Sequence, residues 1–168
     1  MITIKNVLVA TDFSPASETA LLYGRALART FNGTLHAIHV VENLKGRFAY
    51  ADPAITSFDG DLQAELEEAG RRQLDALIDA CDRRELHAEA VVRVGHNIAS
   101  TIAEYAKEAN IDIIVVGATG RGAIDRALLG SVADKVIRRA PCPVLAVHRP
   151  EREFVFPDTL QMAAAEQV

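Results

Sequence analysis

Short, continuous apolar runs alternate with longer stretches of helical spacing along the chain. Asn6 to Ala10 reads NVLVA without polar alternation, the pattern of a strand covered on both faces. SETALLYGRALARTF follows, with apolar positions at Ala20, Leu21, Tyr23, Gly24, Leu27, Ala28 and Phe31, close to a helical period, and Asn32-Gly33 ends it. TLHAIHVV, Thr34 to Val41, reads as the second strand. Residues 42–60, ENLKGRFAYADPAITSFDG, carry no period and include Pro53 and two glycines, so a long connection is expected there. One long helix is predicted over 61–84, then a strand AEAVVRV. A helix over 97–110 follows, with Asn97 as its N-cap. IDIIVVG, 111–117, is the most apolar strand, and CPVLAVH, 142–148, is the last.

The order β-α-β-α-β-α-β-α-β predicts an α/β fold: an open five-stranded parallel sheet with helices on both faces, Rossmann-like in kind. Ligands of such sheets sit at the carboxyl ends of strands, where the strand order reverses. The candidate site is therefore assembled from Thr11-Asp12, Val40-Val41 and Gly117, at the ends of the first, second and fourth strands. The expected domain is 1–148. A tail over 149–168 carries the apolar cluster Phe154, Val155 and Phe156.

Composition narrows the function classes. A net charge of −5 argues against a general nucleic-acid binder, which would show a basic face, but leaves room for a small anionic ligand in a local pocket. Cys81 and Cys142 have neither metal nor redox spacing. The five histidines form no ligand pattern, and His36 and His39, three apart on one strand, are expected on opposite faces. No metal site is expected. The N-terminal MITIKNVLVATDFS lacks the features of a secretory leader, and no apolar run has the length of a membrane span, so a cytoplasmic protein is expected.

The densest chemistry lies in GATGRGAIDRALLGSVADKV, Gly117 to Val136. It is not a Walker A loop, since no G-x-x-x-x-G-K-[ST] occurs in the chain. Nor is it the dinucleotide fingerprint, because Asp125 stands where Gly120-Arg121-Gly122 would need a third glycine. The stretch nevertheless suits a phosphate. Glycines let main-chain N–H groups close on a bulky anion, the helix starting near Ser131 offers unpaired N–H groups, and Arg121 and Arg126 bring positive charge. A second reading fits the same residues: SVAD is a capping box, in which Ser131 caps its own helix and the glycines only turn the chain. Asp12 is open in the same way, as a ligand carboxylate or as a cap for the helix entered at Pro15. Length favours a ligand loop. Ala118 to Leu129 is twelve residues, where a βα connection usually takes about 2–6.

GATGRGAIDRALLGS has the G-x-x-G-x9-G-[ST] pattern of the universal stress protein family, and the chain resembles that family in several ordered blocks. VLVATDFSPASETAL is similar to its first strand and helix, HVVE to the end of its second strand, and APCPVLAV to its last strand. VGHNIASTIAEYAKEANIDIIVVG is similar to the segment from its third strand end to its fourth strand. The family's G-x-P reads Gly95-His96-Asn97 here, a departure at a loop position. The resemblance spans about 1 to 148. It implies binding of ATP, or of ADP or AMP, and a bound triphosphate commonly carries Mg2+. By position, Gly117, Gly120, Gly130, Ser131 and Val132 would line the ribose and phosphates, with Arg121 and Gly122 in the same loop. Asp12 and Val40 would hold the adenine side, Val40 through its main chain, with Val116 packing nearby and Thr11 beside them. The family also implies a homodimer through the last strand, Pro143 to His148, which should lie at a sheet edge and there invite pairing.

Hydrolysis needs a positioned base or activated water near the γ-phosphate. No acidic residue is spaced as such a base beside the glycine loop; Asp125 alone lies within it, and Asp12 falls at the nucleoside end. The expected function is a nucleotide-dependent stress-response module acting on a regulatory partner. Two alternatives stand beside it: a slow ATPase or nucleotide-processing enzyme, and a chaperone-like interaction protein without nucleotide.

Overall fold

The computed structural model describes residues 2–43, 58–119 and 129–148, with 58–60 by their backbone alone. Five strands form one parallel sheet: β1 (Asn6–Ala10), β2 (Thr34–Glu42), β3 (Glu89–Gly95), β4 (Ile113–Gly117) and β5 (Val144–Val147). Their order is β3-β2-β1-β4-β5, so the direction of winding reverses between β1 and β4. The parallel α/β sheet expected from the alternating runs is thus what the chain forms, and β5 lies at an edge.

The helices are α1 (Pro15–Phe31), α2 (Phe58–Leu77), α3 (Ala80–Glu85), α4 (Ile98–Glu108) and α5 (Ser131–Arg139). Alternation along the strands sorts them into two layers. Val7, Val9, Leu35, Ala37 and Val115 pack with Ala20, Leu21 and Ala28 of α1 and Leu74 of α2. The interleaved residues Leu8, Ile38, Val40, Ile114 and Val116 pack with Ala99, Ile102 and Tyr105 of α4 and Ala133 and Val136 of α5. β1 and β4, in the middle of the sheet, are covered on both faces, which is why Val7 to Val9 and Ile114 to Val116 are unbroken apolar runs.

Two element boundaries differ from expectation for identifiable reasons, while α1 is entered at Pro15 as expected. Ser14 is its N-cap, accepting from Ser17 N–H, and a proline fits the first helical position. The helix expected over 61–84 is two helices. Ile78 is buried at the break, and Asp79 restarts the chain with a capping box in which it and Asp82 each accept from the other's backbone N–H. β4 begins at Ile113 because Asp112 is used elsewhere: its Oδ2 accepts from the N–H groups of Lys5 and Asn6, at 2.7 and 2.9 Å. The Asn6 amide adds a bond to the Asn110 carbonyl, so this brace ties the amino edge of β1 to the turn before β4. Asn97 caps α4 as expected, its Oδ1 accepting from Ser100 N–H at 3.0 Å.

Among the described residues no helix is long and apolar enough to cross a membrane. The segment 44–57 and the expected tail 149–168 lie outside the described residues.

Candidate functional site

At the carboxyl end of β1 the chain makes a tight turn through Thr11, Asp12, Phe13 and Ser14 before entering α1. The Thr11 hydroxyl organises it. Ser17 Oγ donates to the Ser14 carbonyl at 2.9 Å, so it can only accept from Thr11 Oγ1, 3.0 Å away. Thr11 Oγ1 in turn accepts from Phe13 N–H at 3.0 Å. The hydroxyl hydrogen is committed within the turn, and Thr11 serves as a brace there. Asp12 Oδ1 accepts from Ser14 N–H at 3.0 Å, an Asx turn; the cap itself is Ser14.

β4 ends at Gly117, whose lack of a side chain has a packing reason. A Cβ there would come within 2.9 Å of the Ala16 carbonyl carbon and Ser17 nitrogen, in the first turn of α1. The glycine thus lets the ends of β4 and of the β1–α1 turn meet. Beyond it, Ala118 N–H donates to the Val147 carbonyl at 2.8 Å, and Gly130 N–H donates to the Ala118 carbonyl at 2.6 Å. The long loop therefore leaves and rejoins the fold at one point. Its Gly120, Arg121, Gly122, Asp125 and Arg126 lie outside the described residues.

The capping-box reading of SVAD does not hold. Gly130 is the N-cap of α5, with extended backbone (φ −61°, ψ 148°), and Ser131 is the first helical residue, so its hydroxyl is one position too late to cap. Among the described residues no side chain caps α5. Asp134, in that first turn, pairs with Arg138 one turn on, and the hydrogen bond from Arg138 holds its carboxyl below the usual range.

These ends surround a cavity of about 470 Å³ on the α4–α5 side of the switch point. Thr11, Asp12, Val40, Val116, Gly117, Gly130, Ser131 and Val132 line it, so these described residues come to one place, while Val41, also expected at the end of the second strand, is not among the lining. Sequence reasoning missed Ile98 and Ile102 of α4, Thr119, Ile38 and His39, which line it too. The first two were signalled by the apolar stripe of the helix after β3, spaced four apart and so on one face. The walls divide by chemistry. β2, β4 and α4 supply apolar side chains, Asp12 a carboxylate, and Gly130-Ser131-Val132 the N-terminal turn of α5, the positive end of its dipole. Such a cavity can seat a flat apolar group and hold an anion at the helix end. No group of three or more His, Cys, Asp or Glu residues that could hold a metal ion occurs among the described residues.

Comparison with known proteins gives this geometry a family. The sequence model described as the Universal stress protein family matches residues 3–148. A universal stress protein of Methanocaldococcus jannaschii is 32% identical over 160 residues, covering 89% of this chain and 85% of the relative. Among solved structures, universal stress protein UspA from Lactobacillus plantarum is 28% identical with a TM-score of 0.69, covering 88% of this chain and 99% of that one. A universal stress protein in complex with cAMP is 26% identical with a TM-score of 0.54, over 88% of this chain and 98% of that one. With one ordered match over nearly all of its described fold, the chain belongs to the universal stress protein family.

Proposed function

We propose that this chain is an ATP-binding regulatory module of the cytoplasm, acting as a homodimer through β5 and signalling nucleotide occupancy to a protein partner. The observation that carries the reading is the pairing of α5's N-terminus, which no side chain among the described residues caps, with Asp12 in one cavity at the switch point. The helix end suits phosphates, the Asp12 carboxylate suits amino or hydroxyl donors of a nucleoside, and the apolar walls between them suit a base. The cavity volume lies within the usual range of small-molecule sites, about 300–1,000 Å³. The similarity to a protein solved with cAMP supports an adenine nucleotide as the ligand class. Gly117, Gly120, Arg121, Gly122, Gly130, Ser131 and Val132 are assigned to the ribose and phosphates, and Thr11, Asp12, Val40 and Val116 to the nucleoside side. Mg2+, where present, is held by the phosphates of the triphosphate.

Gly130→Glu places a carboxylate at the proposed phosphate position. ATP binding by calorimetry is expected to disappear while the circular dichroism spectrum and melting curve stay near wild type. Unchanged affinity overturns the reading. Mass spectrometry of the small molecule released from purified protein separates ATP from ADP, AMP and cyclic forms.

A further inference from the structure

His39 lies on β2 with the residues of the α1–α2 layer, yet it reaches the ligand turn from beneath. Its Nδ1 is 2.9 Å from the Thr11 carbonyl oxygen. A carbonyl only accepts, so the ring must carry its hydrogen on Nδ1. The same ring packs against Phe13, centroids 4.4 Å apart at 40°. Phe13 holds φ at 61°, in the left-handed region where a bulky side chain is costly and persists only when its surroundings over-determine it. α2 leaves the imidazole its place. A Cβ at Gly70 would come 2.8 Å from His39 Cδ2 and 3.5 Å from Nε2. Among the described residues Nε2 has no hydrogen-bond partner, so Nδ1 and the ring face are where His39 acts.

Asp12 sits between the two residues that His39 holds. Its peptide neighbours are the Thr11 carbonyl, bonded to Nδ1, and Phe13, whose ring packs tilted against the imidazole. We propose that His39 is the positioning residue of the nucleotide site, fixing the Thr11–Phe13 turn so that Asp12 is presented to the nucleoside half of the ligand. This rests on the nucleotide reading above and adds to it a specific division. His39 governs the end of the cavity built from β1, and the α5 end holds its anion without it. α2 passes over the ring at Gly70, so His39 is one side chain that joins α2 to the ligand turn.

The test compares His39→Leu, His39→Asn and His39→Gln with the wild-type chain, using ATP, adenosine and inorganic tripolyphosphate as probes. Leucine removes the donor. Asparagine puts its Nδ2 where Nδ1 stood and restores the bond to Thr11, whereas glutamine's donor falls nearer the Nε2 position. Loss of one hydrogen bond to a positioned turn predicts ATP and adenosine binding weaker by roughly tenfold in the leucine variant. Recovery is expected in the asparagine variant and not in glutamine, with tripolyphosphate affinity unchanged throughout. A lesion that merely loosened the fold would weaken all three probes together. Long-range nitrogen-15 spectra of the nucleotide-free wild type should show His39 protonated at Nδ1 at neutral pH, whether or not any variant folds. An Nε2–H tautomer overturns the inference, as does a leucine variant that binds adenosine like wild type. A wild-type chain that binds tripolyphosphate and no adenine nucleotide overturns the nucleotide reading, while the tautomer still decides whether His39 holds the turn.

Discussion

His36, three residues before His39, faces the other layer and has a different task. Its Nδ1 lies 2.9 Å from the Tyr105 hydroxyl of α4 and 3.5 Å from the Glu89 carboxylate of β3, while Leu8 is its neighbour across β1. Arg93 covers the Tyr105 ring and also pairs with Glu108. Burial pulls the His36 pKa below its ordinary 6.5, and the Glu89 charge offsets this only in part. The folded chain therefore binds fewer protons here than the unfolded chain. Its contribution to stability is full above about pH 6.5 and is lost as pH falls from there through the lowered folded value. Urea midpoints measured between about pH 7.5 and 5.5 should fall for the wild type and fall less for His36→Gln, which cannot take up the proton. At this scale the sequence was legible in identity but not in direction. Asp12 was placed at the crevice from its position after a strand. That Thr11 spends its hydroxyl hydrogen on Ser17, and that Ser131 stands one place too late to cap, depend on backbone angles that composition does not encode.

Between elements, a largely buried ion pair forms a link that periodicity could not reveal. Arg25 of α1 donates through Nε and Nη2 to the Asp82 carboxylate of α3, and through Nη2 to the Leu77 carbonyl at the end of α2. Asp82 is 1% exposed and also serves the capping box. Arg25→Ala would leave that carboxylate buried without its cation, a loss of roughly 3–5 kcal/mol readable as a lower urea midpoint. Substituting both partners with apolar residues should recover part of it, because the desolvation penalty goes with the charge. The α2–α3 break escaped the sequence because the apolar spacing runs on through Ile78, and its capping box uses Asp82 where the usual signature has Glu or Gln. Gly117 was legible as a site residue for only half its reason. The other half, contact with Ala16 and Ser17, joins elements a hundred residues apart, and no local pattern reports that.

For the whole molecule, alternation of apolar runs with helical spacing was enough to establish a parallel sheet, because right-handed crossovers leave few other arrangements. It also pointed to the carboxyl ends of the strands, where the cavity lies. The residues from α4 were missed because a helix face must be docked before its contacts are known. With β5 at an edge of the sheet and Ile137 and Val132 of α5 both more than a third exposed, self-association through this side is expected. Light scattering at micromolar concentration should give twice the chain mass, and Ile137→Glu together with Leu145→Lys should return it to one.

The Asp112 brace adds a last consequence. It fastens the sheet at the edge opposite the cavity, through Lys5, Asn6 and the turn before β4. Rigidity and recognition are thus anchored at opposite poles of the same strands. Asp112→Ala should lower the melting temperature by several degrees and leave the proposed ATP affinity where it was, measured by calorimetry on the intact chain. The far pole is accordingly where such a fold can drift in thermal tolerance without disturbing the cavity.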